Sequence, residues 1–351
     1  MFPVSERFRP QQFECITQGL IAKEGPVNDG GWRDLHIPVN LHQAFFDASE
    51  RDPARRYKLF CRASDQEKTI GVAFSADGLR WSELQLCPEI SVPGDTHNNA
   101  FWAPELGRYV GITRLRTDQR LVARTESPDF VHWTKAVEVL RGDPLNQTYA
   151  MPVFRHAGVY LSLPMIFRTG EDRVHCELAW SPDTLAWHRI ASGQPLIANS
   201  NRQGDYDWGC VYAAATPVFH EQEIRLYYGA SNGPHTNWRD SFLALATLRP
   251  DGFAGFETAA GGHVGRISTK PLPWAGSELQ ITADVTGGEI GVTLQNEAGA
   301  VVATAEPVTA TSTGRTLRWK HGFEFARLQG TAVRVAFAMT SAKLYSFNFA
   351  G

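Results

Sequence analysis

The chain is predicted to be all-β, a propeller followed by a C-terminal β-sandwich, and three observations carry that expectation. The phrase Ser-x-Asp-x-x-x-Trp recurs as Ser75 to Trp81, Ser127 to Trp133 and Ser181 to Trp187, at steps of 52 and 54 residues, a period that signals an array of similar units. A tyrosine-bearing run keeps step with it: Tyr57-Lys-Leu-Phe60, Tyr109-Val-Gly-Ile112, Tyr160-Leu-Ser-Leu163 and Leu226-Tyr-Tyr-Gly229. Beyond residue 257 the texture changes to short runs of alternating apolar and polar residues, the period of half-buried strands.

Each element follows from its residues. The apolar runs Ile70–Phe74, Leu121–Ala123 and Leu178–Trp180 precede the three phrases, so each phrase is a turn between strands. Its Asp carboxylate can hold a backbone N–H two residues on, and its Trp can pack against the neighbouring unit. These residues are expected to be architectural. Arg249-Pro-Asp251-Gly-Phe253 is a weaker echo that closes a fourth unit, so four units run from about residue 35 to 257. Some fifty residues with about four short strands fit a propeller blade; a helical repeat would need a 3.6-residue apolar period that is missing. The expected division is residues 1–262 for the propeller and 263–351 for the sandwich, with Leu279–Val285, Ile290–Leu294 and Val333–Phe337 as sandwich strands. Trp274 and Trp319 are the stacking candidates there, equally compatible with a core.

With 351 residues, 43% apolar content, ten Trp and twenty Phe, the chain can bury a large core. A net charge of −3 without runs of Lys or Arg argues against nucleic acid or an anionic membrane as partner. The first thirty positions lack the apolar core of a signal peptide. A cytoplasmic location is expected for the chain as written, and a secreted or periplasmic one for a longer precursor. Five cysteines, widely spaced and without zinc spacing, read as reduced core or strand residues.

In a propeller the first strand of each blade lines the axis, so polar residues at its start point into a common funnel. The corresponding segments hold His42, then Asp95, His97, Asn98 and Asn99, then Tyr149, then Asp205, Asp207 and Trp208. Leaving such groups unpaired inside a blade is costly, and their accumulation at equivalent places points to a ligand, although they could also cap loops. Trp102 and Arg168 flank these segments, and Asn232 and His235 form a candidate rim.

On these turns, and on the segments Asp95–Trp102, Glu105–Tyr109, Glu126–Trp133 and Tyr228–His235, the chain resembles the five-bladed glycosidases of glycoside hydrolase families 32 and 43, and more specifically a bacterial group related to them. That resemblance implies a five-bladed propeller, a carbohydrate substrate and three acids in the funnel. Asp95 suits the second-blade Asp, Glu177 the general acid and Asp207 the opposing carboxylate, with Asp205 as its substitute; Asp34, alongside Asp29, stands in for the first-blade acid. Hydrolysis needs one carboxylic acid to protonate the leaving oxygen and a carboxylate across the ring to attack or to activate water. Two alternatives stand beside it: a catalytically silent sugar-binding propeller, and a sialidase-like propeller whose required arginine cluster would have to come from Arg114, Arg116 and Arg168. No cofactor is expected; Asp95, His97, Asp205, Asp207 and His235 could converge on calcium or another divalent ion, but no tight spacing demands it.

Overall fold

The computed structural model describes residues 13–16, 20–26, 43–63, 69–95, 97–259 and 262–351, the first two as backbone only. The expected Asp34, Asp29 and His42 lie outside the described residues. Among the described residues the regular structure is β-strand apart from two 3-10 turns, at Pro53–Arg55 and Phe325–Leu328. Two compact units result, Ile21–Thr247 and Leu248–Gly351, the latter joined by the strand Phe13–Ile16.

In the first unit the predicted repeat is a series of antiparallel meander sheets, the blades of a β-propeller. One sheet runs Gln43–Phe46, Tyr57–Arg62, Thr69–Ser75, Gln85–Ser91, and the next Asn99–Ala103, Arg108–Arg116, Arg120–Ser127, Val137–Arg141. A third holds Val153–His156, Val159–Ser162, Leu178–Ser181 and His188–Ile190. The fourth is built on Cys210–Ala213, Ile224–Ser231 and Ser241–Leu248, and the strand Leu20–Pro26 continues it at the edge. First strands of consecutive sheets are neighbours, Gln43–Phe46 beside Asn99–Ala103 and Asn99–Ala103 beside Val153–His156. Two clusters glue the series face to face. Phe60, Val72, Phe74 and Ile90 of one sheet pack with Ala123, Phe130 and Trp133 of the next. That sheet's Val110, Ile112 and Val122 pack in turn with Met151, Val153 and Tyr160.

The turn phrase is architectural, and its chemistry is the same three times. The Ser oxygen accepts from the N–H two residues on, and the Asp Oδ1 accepts two further N–H groups, as Asp129 does from Val131 and His132 at 2.9 and 2.8 Å. Asp77 and Asp183 repeat the pattern. The residue after the Asp is left-handed in each: Gly78 at φ 75°, Phe130 at 68°, Thr184 at 67°. For a residue with a Cβ that conformation costs about 1–2 kcal/mol. Phe130 offsets it by burial: it is fully enclosed and meets the rings of Phe45, Phe60, Phe74, Tyr109 and Trp133, worth about 1.5–3 kcal/mol. Thr184 instead takes a hydrogen bond from Arg124 of the preceding sheet at 2.8 Å.

The second unit is a two-sheet sandwich. One sheet orders Phe13–Ile16, Gly255–Thr258, Lys343–Ala350, Glu278–Asp284, Ser312–Thr316; the other orders Gly265–Ser268, Ala332–Thr340, Glu289–Gln295, Val301–Thr304. It takes in residues 248–262, which the sequence assigns to the propeller, because Gly255–Thr258 pairs with Lys343–Ala350. Asp251 accepts from Thr282 and Ser346 at 3.0 and 2.8 Å, so the fourth echo of the turn phrase fastens this unit. Trp274 is core, stacked on Phe325 at 5.0 Å, and Trp319 packs against the same cluster. Cys61, Cys87, Cys176 and Cys210 are buried free thiols.

Candidate active site

A short sheet in the first unit organises the chemistry. Asn146–Ala150 pairs with Met165–Arg168, which pairs with Arg173–Cys176, and that strand adds Cys210–Ala213 in parallel. Side chains alternate across a strand, and the register puts Asn146, Arg168 and Arg173 side by side on one face, with Gln147 and Phe167 on the other. Glu177 belongs by parity, and by its cavity, to the face of Arg173 and His175. Tyr149 stands at a break in the ladder between Thr148 and Ala150 and packs with Phe167 of the opposite face.

The Glu177 face meets most of its polar needs internally, Arg168 Nε being its one buried atom without a hydrogen bond among the described residues. A cavity of about 340 Å³ is lined there by Asn146, Arg168, Arg173, His175, Glu177 and Arg189, among others. Glu177 is fully buried, and Arg189 grips it with Nε at 2.8 Å and Nη2 at 2.7 Å while Gly193 N donates at 3.0 Å. His175 Nε2 lies 3.1 Å away. Burial alone would raise its carboxyl, but the bonds from His175 and Arg189 outweigh that and hold it below the usual glutamate range. Arg168 is taken up by Glu171 and Asn199, both at 3.0 Å. Arg173 donates to the carbonyl of Trp208 at 2.8 Å and lies over that indole at 4.6 Å.

The opposite, axial face gathers side chains from the second sheet, from the sheet that holds Tyr149 and from the loops beside them. The Arg114 guanidinium lies 4.8 Å and that of Arg120 5.7 Å from the Tyr149 ring centre. Arg120 also covers Phe167 at 4.9 Å and donates to Gln147 at 3.1 Å. Tyr149 meets Tyr212 at 5.6 Å and His235 at 5.2 Å, with its hydroxyl 3.2 Å from His235 Nε2. Asp95 is ion-paired to Arg114, itself buried, while the Asp95 side chain is 44% exposed and so within reach of a ligand. Burial works to raise the Asp95 carboxyl, yet Arg114 and Arg62 hold it low and ionised. His97 bonds the Ala213 backbone, so the segment entering the second sheet touches the first strand of the fourth; burial drives its ring down to about 4 and keeps it neutral. Burial and the cations Arg120, Arg239 and Arg114 likewise lower His235, against the opposing pull of Asp172.

The structure thus brings together Asp95, Tyr149 and His235, with His97 at the same junction of sheets, and puts Glu177 and Arg168 on the other face of the short sheet. Asp207 is buried elsewhere, its Oδ2 accepting from the Tyr228 hydroxyl at 3.3 Å, and Asp205 is bonded by Ser200. Asn98 and Asn99 are buried fasteners: Asn98 joins Gly94 to Thr113, and Asn99 ties Met151 and Val153 of the next sheet. Trp102 packs on Tyr109 at 4.8 Å, and Asn232 exchanges three bonds with Asp240. Of the arginines named for a sialidase-like centre, only Arg114 is at the axis. The others there, Arg120 and Arg239, escape a sequence reading, as do Phe167 and Tyr212. Arg114 alone leaves a trace, a charge inside the apolar strand Tyr109–Leu115. Among the described residues no group of three or more His, Cys, Asp and Glu stands close enough to hold a metal ion.

No family's sequence profile matches the chain, and no curated protein matches it. Solved structures similar to it include a protein described as a glycoside hydrolase, 17% identical, with TM-score 0.43 over 60% of this chain and 69% of that one. Another is the sucrose-6-phosphate hydrolase of Lactobacillus gasseri, 12% identical, with TM-score 0.41 over 88% of this chain and 91% of the other. A third is a family 43 arabinoxylan arabinofuranohydrolase from Bacillus subtilis, 11% identical, with TM-score 0.37 over 84% and 76%.

Proposed function

We propose that the chain is a glycoside hydrolase that seats its sugar on the axial face, over Tyr149 and between Asp95 and His235. The observation that carries this reading is the convergence on the Tyr149 ring of two guanidinia from the neighbouring sheet, the imidazole of a loop and two further aromatic rings of its own sheet. Aromatic faces with a few placed polar groups are what a sugar ring requires. Asp95, ionised and accessible, fits the carboxylate that takes a proton from water as the water oxygen bonds to the anomeric carbon and the glycosidic C–O bond breaks, the departing oxygen taking its proton from solvent. Glu177, a buried carboxylate held by Arg189, supports the sheet beneath; a proton donor needs the opposite environment.

One observation favours a second reading, sugar binding without turnover. Among the described residues every carboxyl with a resolved shift lies below its ordinary range, Asp95, Asp143 and Glu177 included, whereas an acid catalyst is tuned upward. Reducing-sugar release over a panel of plant and microbial glycans separates the two. Hydrolysis predicts release that Asp95→Asn abolishes and Glu177→Gln, in its folded fraction, retains. Binding by calorimetry with no release from any glycan would leave only the second reading.

A further inference from the structure

The axial face carries more positive charge than its own acids answer. Asp95 is engaged by Arg114, and Asp172 by Thr236, with His235 Nδ1 3.9 Å from its other oxygen, beyond hydrogen-bond distance. Arg120 and Arg239 have no carboxylate partner among the described residues: Arg120 donates to the Gln147 amide, and Arg239 to the carbonyls of Pro234, His235 and Asn237. Buried polar atoms accumulate at the same spot without a hydrogen bond among the described residues, namely Arg114 Nε, Arg120 Nε, the Tyr212 hydroxyl and His235 Nδ1. Buried donors left in this state cost about 1–3 kcal/mol each, and native structures retain few of them without a reason. Arg120 is also crowded by like charge from Arg114 and Arg116, on top of its burial.

Guanidinium Nε atoms and a phenol hydroxyl without a hydrogen bond among the described residues define the ligand by what they would donate to, an anionic oxygen. The flanking rings of Tyr149 and Phe167 call for an apolar ring face beside it, and Asp95 at the same face disfavours a doubly charged phosphate. We propose that the axial face binds the carboxylate of an acidic pyranose, a hexuronate or a related sugar acid, through Arg120 and the Tyr212 hydroxyl, with Arg114 and Arg239 keeping the surroundings positive. This deepens the sugar-site reading above and rests on it. A planar carboxylate matches the two-pronged guanidinium, and its sugar ring extends over Tyr149 toward Asp95.

The experiment is calorimetric titration of the intact chain with methyl glycosides of galacturonate, glucuronate and N-acetylneuraminate, each against its own uncharged methyl ester. At least one acid is expected to bind about tenfold or more tightly than its ester, the size of a charged hydrogen bond, and the responding sugar identifies the source of the carboxylate. Arg120→Gln should erase the difference between acid and ester, and Tyr212→Phe, which keeps the ring, should reduce it; thermal melts confirm that both are folded. Equal affinity for acid and ester would overturn the carboxylate assignment and leave the sugar site standing. So would a preference that persists in both variants. Failure of every acid and ester, with neutral methyl galactoside and glucoside also silent, would remove both the assignment and the sugar-site reading.

Discussion

The two faces of the short sheet formed by Asn146–Ala150, Met165–Arg168 and Arg173–Cys176 are equally rich in charge, yet they differ in how far that charge is answered. On one, Glu177 receives two bonds from Arg189 and one from Gly193, and Arg168 and Arg173 are engaged by Glu171, Asn199 and backbone carbonyls, which leaves Arg168 Nε as the one buried atom without a hydrogen bond among the described residues. On the other, Arg120, Tyr212 and His235 each keep a buried polar atom without a hydrogen bond among the described residues. A satisfied network holds a fold together, and a polar cluster missing partners has a place for something else. The distinction is one of degree, one unbonded buried atom beside Glu177 against Arg114 Nε, Arg120 Nε, the Tyr212 hydroxyl and His235 Nδ1 on the axial face, since buried cations and carboxylates occur on both.

The comparison predicts stability effects of different size and sign. Glu177→Ala should be the most damaging, about 3 kcal/mol by chemical denaturation, because it strands Arg189 beside a buried void; a loss under 1 kcal/mol would show that this face is not the structural one. The acid limb of stability should follow the same residue. Its folded carboxyl sits below the ordinary value of 4.5, so the unfolded chain binds more protons. The associated stability is present above about pH 4.5 and drains as pH falls through the lower, folded value. Denaturation midpoints measured from neutral pH downward should therefore decline less steeply in Glu177→Gln than in the wild type.

Smaller effects sharpen the contrast. Ser181→Ala removes the acceptor for Asp183 N and Thr184 N, at 3.2 and 2.8 Å, and should cost about 1 kcal/mol. A larger loss would mean that the turn also governs the packing of its sheet. Tyr212→Phe should be neutral or stabilising by up to about 1 kcal/mol, since it deletes a buried hydroxyl without a hydrogen-bond partner among the described residues. A clear destabilisation would place that hydroxyl among the structural groups.

Much of the propeller was legible because its information is local. Ser, Asp and Trp at fixed spacing specify a turn whose bonds span three residues, and the Tyr-bearing runs mark the strands that flank it. Asp95, Tyr149 and His235 were legible as polar or aromatic groups where first strands and rim loops begin. The separation of Glu177 from Asp95 was not. Parity alone aligns Glu177 with Arg173 and His175, but which face of that strand meets the axis depends on its pairing with Met165–Arg168 and Cys210–Ala213. Arg120 and Tyr212 were hidden for a similar reason: nothing in Arg120-Leu-Val-Ala or Cys-Val-Tyr212-Ala announces a shared neighbour across 92 residues of chain, 212 minus 120. The sandwich boundary depends likewise on a long-range pairing, Gly255–Thr258 with Lys343–Ala350.

The most direct test of where the sugar sits is a crystal structure of the chain soaked with the best-binding methyl glycoside from the calorimetric series. The account predicts electron density on the axial face, with the sugar ring against Tyr149 and its acidic group at Arg120. Density in the cavity beside Glu177 and Arg189, with the axial face unchanged, would contradict it.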